Sequence, residues 1–184
     1  MRTPVRYTCD VIASDRKAVK VGSALLVVDG TDETLARKAE LSIRANRVQA
    51  RSLQALRTLS TDSYNASIQH RRDAWKIAGV SVGAFDEFKE IDDELREARP
   101  DVSRYGIQAL RGAIRRDGEA YQGFFRRVKD SETPGYPRFK SRKHLRSIFY
   151  DEPVSWALRT LDGKGPALYV QGVGEMKLSR SGVH

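Results

Sequence analysis

The apolar residues of this chain change their spacing twice, which commits it to strands, then helices, then strands. Val5, Tyr7, Cys9 and Val11 alternate with Arg6, Thr8 and Asp10, the period of a half-buried strand. A second run, Ala24 to Val28, ends at Asp29-Gly30, a dipeptide suited to tight turns. From Thr31 the spacing reads as helical. Thr31 or Asp32 supplies a cap, and Leu35, Ala39, Ile43, Ala45, Leu53, Leu56, Leu59, Tyr64, Ile68 and Trp75 form an apolar stripe towards Lys76. Ser60-Thr61-Asp62-Ser63 is the expected break within it, and Gly79 the stop. A further helical segment, Ser81 to Ala98, carries Phe85, Phe88, Ile91 and Leu95, with Asp86, Glu87, Glu90, Asp92, Asp93 and Glu94 on its solvated face. Pro100 ends it.

The clearest helix follows, from about Ser103 to Lys129, with Ile107, Leu110, Ile114, Tyr121, Phe124 and Val128 on one face and Phe125 widening it. Ser131 to Pro137 reads as loop. Leu145 to Tyr150, Val154 to Thr160, Ala167 to Gln171 and Glu175 to Leu178 then return to short strands separated by Gly, Pro and Asp turns. The expected fold class is α+β, a small antiparallel β-barrel interrupted by a helical insertion.

Charge narrows the function. Apolar residues are 40% and charged residues 31% of 184, so the chain can bury a core, and wholesale disorder is excluded. No apolar run approaches the roughly 18 residues of a spanning helix. Arg2, Arg6 and Asp10 break up any signal peptide, so a cytoplasmic location is expected, without a membrane. The net charge is +9, and it is unevenly placed: 17 basic residues face 15 acidic ones up to Pro100, against 16 and 9 beyond it. Between Arg126 and Arg146 there are eight cations and two acids. That density points to nucleic acid.

The sharpest local feature is Gly135-Tyr136-Pro137-Arg138-Phe139-Lys140-Ser141-Arg142-Lys143-His144-Leu145-Arg146. Cations alternate with rings on a proline-restrained, extended backbone, so the strip can track phosphates while an aromatic face stacks on an unpaired base. The plain alternative is a solvated loop with Phe139 tucked into the core. Arg111, Arg115, Arg116, Arg126 and Arg127 on the long helix offer a second surface, since the guanidinium fork suits phosphate oxygens and guanine edges. Pairing within the helix to Asp117 and Glu119 is the alternative there.

Catalytic patterns are missing from the sequence. There is no phosphate-binding glycine loop followed by Lys-Ser or Lys-Thr, and no Gly-x-Ser-x-Gly turn. Cys9 stands alone, and His70, His144 and His184 are scattered, so no metal site is expected in these residues. Cys9 itself reads as a small buried side chain on the first strand.

Ala120-Tyr121-Gln122-Gly123-Phe124-Phe125-Arg126-Arg127-Val128-Lys129, followed by Gly135-Tyr136-Pro137-Arg138-Phe139-Lys140-Ser141-Arg142-Lys143 and Arg146-Ser147-Ile148-Phe149-Tyr150, resembles the N-terminal region of the TnpB family. These are transposon-encoded, RNA-guided DNA nucleases related to miniature type V CRISPR effectors. Tyr64-Asn65-Ala66-Ser67, Arg71-Arg72-Asp73-Ala74-Trp75-Lys76 and Gln108-Ala109-Leu110 resemble the family's recognition helices, and the likeness spans roughly Leu53 to Leu178. It implies an OB-like wedge barrel, with strands in 1–30 and 131–184, and an inserted recognition lobe over 31–130. It also implies guide RNA and target DNA duplex as partners, with a prokaryotic, nucleoid-associated setting.

Nucleic-acid contacts are then expected from Tyr136, Arg138, Phe139, Lys140, Arg142, Lys143, Arg146, Arg126, Arg127 and Arg115. Gln108 and Arg111 fall where target-adjacent DNA is met. The family's catalytic Asp, Glu and Asp and its Cys-x-x-Cys zinc element have no counterpart among these residues. Magnesium, zinc and cleavage are therefore expected from a RuvC-like domain on a second polypeptide, a split or truncated effector, and this chain is assigned no catalytic residue or cofactor. The alternative function is a non-catalytic nucleic-acid-binding scaffold or regulator that acts through a partner protein.

Overall fold

Asn46 starts the long helix, and the reason is local. Its side chain accepts from the Gln49 N–H while the Gln49 side chain accepts from the Asn46 N–H, both at 2.9 Å, a reciprocal capping box. In the computed structural model, which describes residues 6–12, 21–29, 37–83, 86–88, 93, 97, 99–100, 102–150, 155–161 and 165–179, this helix α1 runs over Arg47–Asp73. It continues into a π-helical turn, Ala74–Ala78, and Gly79 ends it.

The expected helix start at residue 31 is corrected. Arg37–Arg44 is a strand, β3, paired with β2 (Val21–Asp29), which in turn pairs with β1 (Arg6–Ile12). Ala39, Leu41 and Ile43 interleave with Lys38, Glu40, Ser42 and Arg44, and pairing with its neighbour strands selects this alternation over the helical stripe that shares Ala39 and Ile43. The expected turn at Gly30 and cap at Thr31 or Asp32 lie outside the described residues, as does the burial of Cys9. The expected break at Ser60–Ser63 does not occur either. Ser60, Thr61 and Ser63 are buried inside an unbroken α1, and the Thr61 hydroxyl donates to the Arg57 carbonyl one turn back.

The segment Ser81 to Ala98 falls largely outside the described residues, with helix at 86–88, 93 and 97. The expected helix from Ser103 splits into α2 (Val102–Tyr105) and α3 (Gln108–Lys129). Gly106 divides them at φ 76°, where a side chain would also strike Gln171 and Ser155.

The return strands are β4 (Ser147–Tyr150), β5 (Trp156–Leu161), β6 (Gly165–Val170) and β7 (Gly174–Ser179). All seven strands form one antiparallel sheet, in the order β4-β1-β2-β3-β7-β6-β5. The fold is α+β. Strands β4 and β5 stand at its two ends, and no ladder joins them among the described residues.

Two apolar clusters hold the layers together. The larger joins Ile43, Leu53, Leu56, Leu59, Tyr105, Leu110, Ile148, Tyr150, Trp156, Leu168, Val170 and Met176, so it glues the first half of α1 and the start of α3 to the sheet. The smaller joins Tyr64, Ile68, Ala113, Tyr121 and Leu145 between the two long helices. Helix α3 meets β4 at Gly112, where a Cβ would overlap the Phe149 carbonyl oxygen. One turn on, Arg116 donates to the Ser147 carbonyl at 2.9 Å and to its hydroxyl at 2.8 Å. Among the described residues no helix is long and apolar enough to cross a membrane.

Candidate nucleic-acid interface

Among the described residues the basic ribbon, 135–146, pairs with no strand, so its backbone polar groups need partners from elsewhere. Helix α1 supplies them. Asn65 accepts from the Lys140 N–H and donates to the Lys140 carbonyl, each at 2.9 Å, so one amide imitates a paired strand. Two turns later Arg72 donates to the Pro137 carbonyl at 2.7 Å. Its guanidinium carbon lies 5.2 Å from the Tyr136 ring centre and 4.6 Å from that of Phe139. Pro137 is buried, and a turn closed by Ser141 and His144 delivers Leu145 into the smaller core.

This docking turns the charges outward. Arg138, Arg142, Lys143 and Arg146 are exposed, and Phe139 is 48% exposed rather than tucked into the core. The Arg146 Nε donates to the Lys143 carbonyl. Arg126 and Arg127 are exposed at the end of α3. Among the described residues, none of Arg126, Arg127, Arg138, Lys140, Arg142, Lys143 and Arg146 forms an ion pair with a carboxylate.

The structure gathers some of the expected residues and separates others. Arg127, Arg138, Phe139, Lys140 and His144 line one open cleft of about 660 Å³, with Tyr64 beneath. The Lys140 ammonium sits 4.6 Å from the Tyr64 ring centre. Burial, helped by nearby Arg116, pulls Lys140 below the usual lysine range, with Asp117 opposing. Tyr136 is 40% exposed but engaged: its hydroxyl lies 3.0 Å from that of Tyr121, and its ring packs edge-on to Tyr121 and Phe124. At the other end of α3, about 29 Å from Arg127 by helical rise, Gln108 is buried, and Arg111 and Arg115 are half-buried. The Arg111 guanidinium lies 5.9 Å from the Phe88 ring centre. Gln108, expected near target-adjacent DNA, is 9% exposed.

Under the ribbon lies a polar cluster that sequence reasoning missed. Arg71 Nε faces Glu87 Oε2 at 2.9 Å and Asp117 Oδ2 at 3.1 Å, and the Ser67 hydroxyl bridges the same two carboxylate oxygens at 2.6 and 2.7 Å. Glu87, expected on a solvated face, and Asp117, for which pairing within the helix is the alternative reading, are both fully buried. His70 also turns to Glu87, at 3.5 Å, while Asp73 accepts from Gln69. Burial raises the Asp117 carboxyl to about 6, against the opposing pull of Ser67 and Arg71. Burial and Asp117 push the Tyr64 phenol up to about 12. Among the described residues no group of three His, Cys, Asp or Glu side chains is placed to hold a metal ion.

Asn65 and Arg72 already stood in the motifs that resemble recognition helices, yet their role as ribbon clamps depends on partners 75 and 65 residues away. Nothing in local spacing reveals them. No protein-family model matches this sequence, and no curated protein matches it either.

Proposed function

We propose that this chain is the guide-RNA and target-DNA binding portion of a TnpB-like, RNA-guided DNA-targeting protein, with cleavage supplied by a RuvC-like domain on another polypeptide. The observation that carries the reading is the ribbon: its backbone is clamped by Asn65 and Arg72, its cations face outward without carboxylate partners among the described residues, and Phe139 stands half-open beside them. A protein that needed those charges only for solubility has no reason to fix their backbone so firmly. Structured RNA fits the cleft and the ribbon together, because its phosphates meet the cations while an unpaired base meets a ring.

The strand order supports the same reading, since helices α1 to α3 interrupt the sheet between β3 and β4. On this reading the sheet curls into the wedge barrel, with β4 and β5 approaching at its seam. Guide RNA and target duplex occupy the ribbon side, and the magnesium and zinc chemistry belongs to the partner polypeptide.

Filter binding of structured RNA against salt tests the proposal. With about six phosphates neutralised, the slope of log affinity against log salt is expected near −4 to −5. Absent binding at low salt, or a flat slope, refutes it. Purified chain incubated with magnesium and DNA is expected to cut nothing.

A further inference from the structure

The π-helical turn after α1 swings Trp75 and Ile77 outward, 64% and 82% exposed, and Val80 follows them. Facing them, α3 presents Phe124 and a largely exposed Phe125, and the ribbon contributes Tyr136. Trp75, Val80, Tyr121, Phe124, Phe125 and Tyr136 wall a cavity of about 530 Å³ that the ribbon's cations do not line. Its volume lies within the roughly 300–1,000 Å³ of small-ligand sites.

Arg71 also lines this cavity, with its guanidinium carbon 4.9 Å from the Tyr121 ring centre. Its Nε serves Glu87 and Asp117, whereas its Nη2 is buried with no hydrogen-bond partner. That donor is closed off from the cavity in this conformation, so an acceptor entering there reaches it only after the Arg71 guanidinium turns towards the opening. Two carboxylates already offset the arginine, so an anion entering the cavity would meet no surplus positive charge. The matching chemistry is planar, apolar on its faces and neutral, with an acceptor at its edge. A nucleobase has that form, and the O6/N7 edge of guanine suits an arginine donor best. Outside the cavity, exposed Lys76 adjoins Trp75, and exposed Arg126 and Lys129 lie one turn from Gln122 and Phe125, where the phosphates of such a strand need cations.

We propose that the cavity between the π-helical turn and α3 receives one unstacked, acceptor-bearing nucleobase of the strand that the ribbon tracks. The proposal rests on the nucleic-acid reading above. It adds a second, enclosed base site to a surface whose ribbon already offers the open face of Phe139.

A labelled oligouridine strand carrying one central guanine, and the same strand with an abasic site at that position, separate the two ideas. Fluorescence anisotropy compares the full chain with a Trp75→Ala, Phe125→Ala double variant. Both side chains are mostly exposed, so the fold stands, and its melting temperature verifies this. The full chain is expected to bind the guanine strand about tenfold more tightly than the abasic one. The double variant loses that ratio but keeps its affinity for the abasic strand and its salt slope. An unchanged ratio in the variant overturns the base site, and that is also the outcome if the cavity takes an apolar side chain of a protein partner. Equal binding of both strands by the full chain overturns the base site alone, whereas no binding of either strand overturns the nucleic-acid reading and the base site together.

Discussion

Asn65→Ala removes both hydrogen bonds that hold the Lys140 backbone, at 2.9 Å each, and touches little else. At about 1 kcal/mol net per bond, docking of the ribbon weakens by about 2 kcal/mol, roughly thirtyfold in its open population. Helix α1 itself does not suffer, because alanine is a better helix former than asparagine. That gain offsets only part of the loss, so the melting temperature is expected to fall by about 2–6 °C. Amide exchange at Lys140 reads the effect directly, since its N–H is donated to Asn65. Exchange there is expected to accelerate about thirtyfold, while the Arg116-anchored strand β4 is unaffected. Asn65→Asp separates the two bonds: the carboxylate still accepts from the Lys140 N–H but opposes the Lys140 carbonyl. If Lys140 exchange in Asn65→Ala stays within threefold of the parent, the clamp is not what fixes the ribbon, and the case for a preformed binding strip fails.

Gly112→Ala drives a methyl into the Phe149 carbonyl and is expected to cost about 1–3 kcal/mol, seen as a lower midpoint in urea; an unchanged midpoint rejects the close contact of α3 with β4. Asp117, raised to about 6 from an ordinary 3.8, binds its proton more tightly folded than unfolded. Its contribution therefore favours folding more as pH falls from above 6 to below 4, by roughly 3 kcal/mol in all, and disfavours it as pH rises through that window. Subtracting the pH profile of Asp117→Asn from that of the parent isolates this slope, and a flat difference between pH 4 and 6 rejects it. Phe139→Ala is expected to weaken single-stranded RNA binding by about 1–3 kcal/mol while leaving the half-exposed site's stability nearly unchanged; a loss under about 0.5 kcal/mol removes Phe139 as a base platform.

The strand, helix, strand plan was legible because amphipathic periods are local. β1 follows an alternation, β2 a short apolar run and the last four strands short runs set off by turn residues, while α3 follows a helical stripe, and none of these needs distant information. β3 was legible in principle too, but Ala39, Ile43 and Ala45 fit a helical stripe as well as an alternating one. Pairing with β2 and β7 settled a choice that residues 37–44 alone leave open. Ser60 to Ser63 misled for the opposite reason: polar residues usually mark a break, yet here Ser60, Thr61 and Ser63 are buried in the helix, and the Thr61 hydroxyl bonds back to the Arg57 carbonyl.

The ribbon announced its chemistry through composition, but not its posture. Which cations face out depends on Asn65 and Arg72, and the burial of Glu87 and Asp117 depends on a shared arginine contributed by a different helix. Pairings across tens of residues leave no trace in spacing. Gln108 illustrates the converse, since its suitability for reading adenine was visible and its burial was not.

The sheet order carries a consequence for biogenesis. Strands β1 to β3 form a meander whose two outer flanks are taken by β4 and β7, and Ser42 finds Ser179 only after the helices and most later strands have been made. While the nascent polypeptide emerges, that meander presents two unprotected rims to every other ribosome product, the circumstance in which strands stick to strangers. Swift collapse of α1 onto α3 cannot shield them, so chaperone demand during translation should track the interval before residue 179 is released rather than the stability of the finished fold.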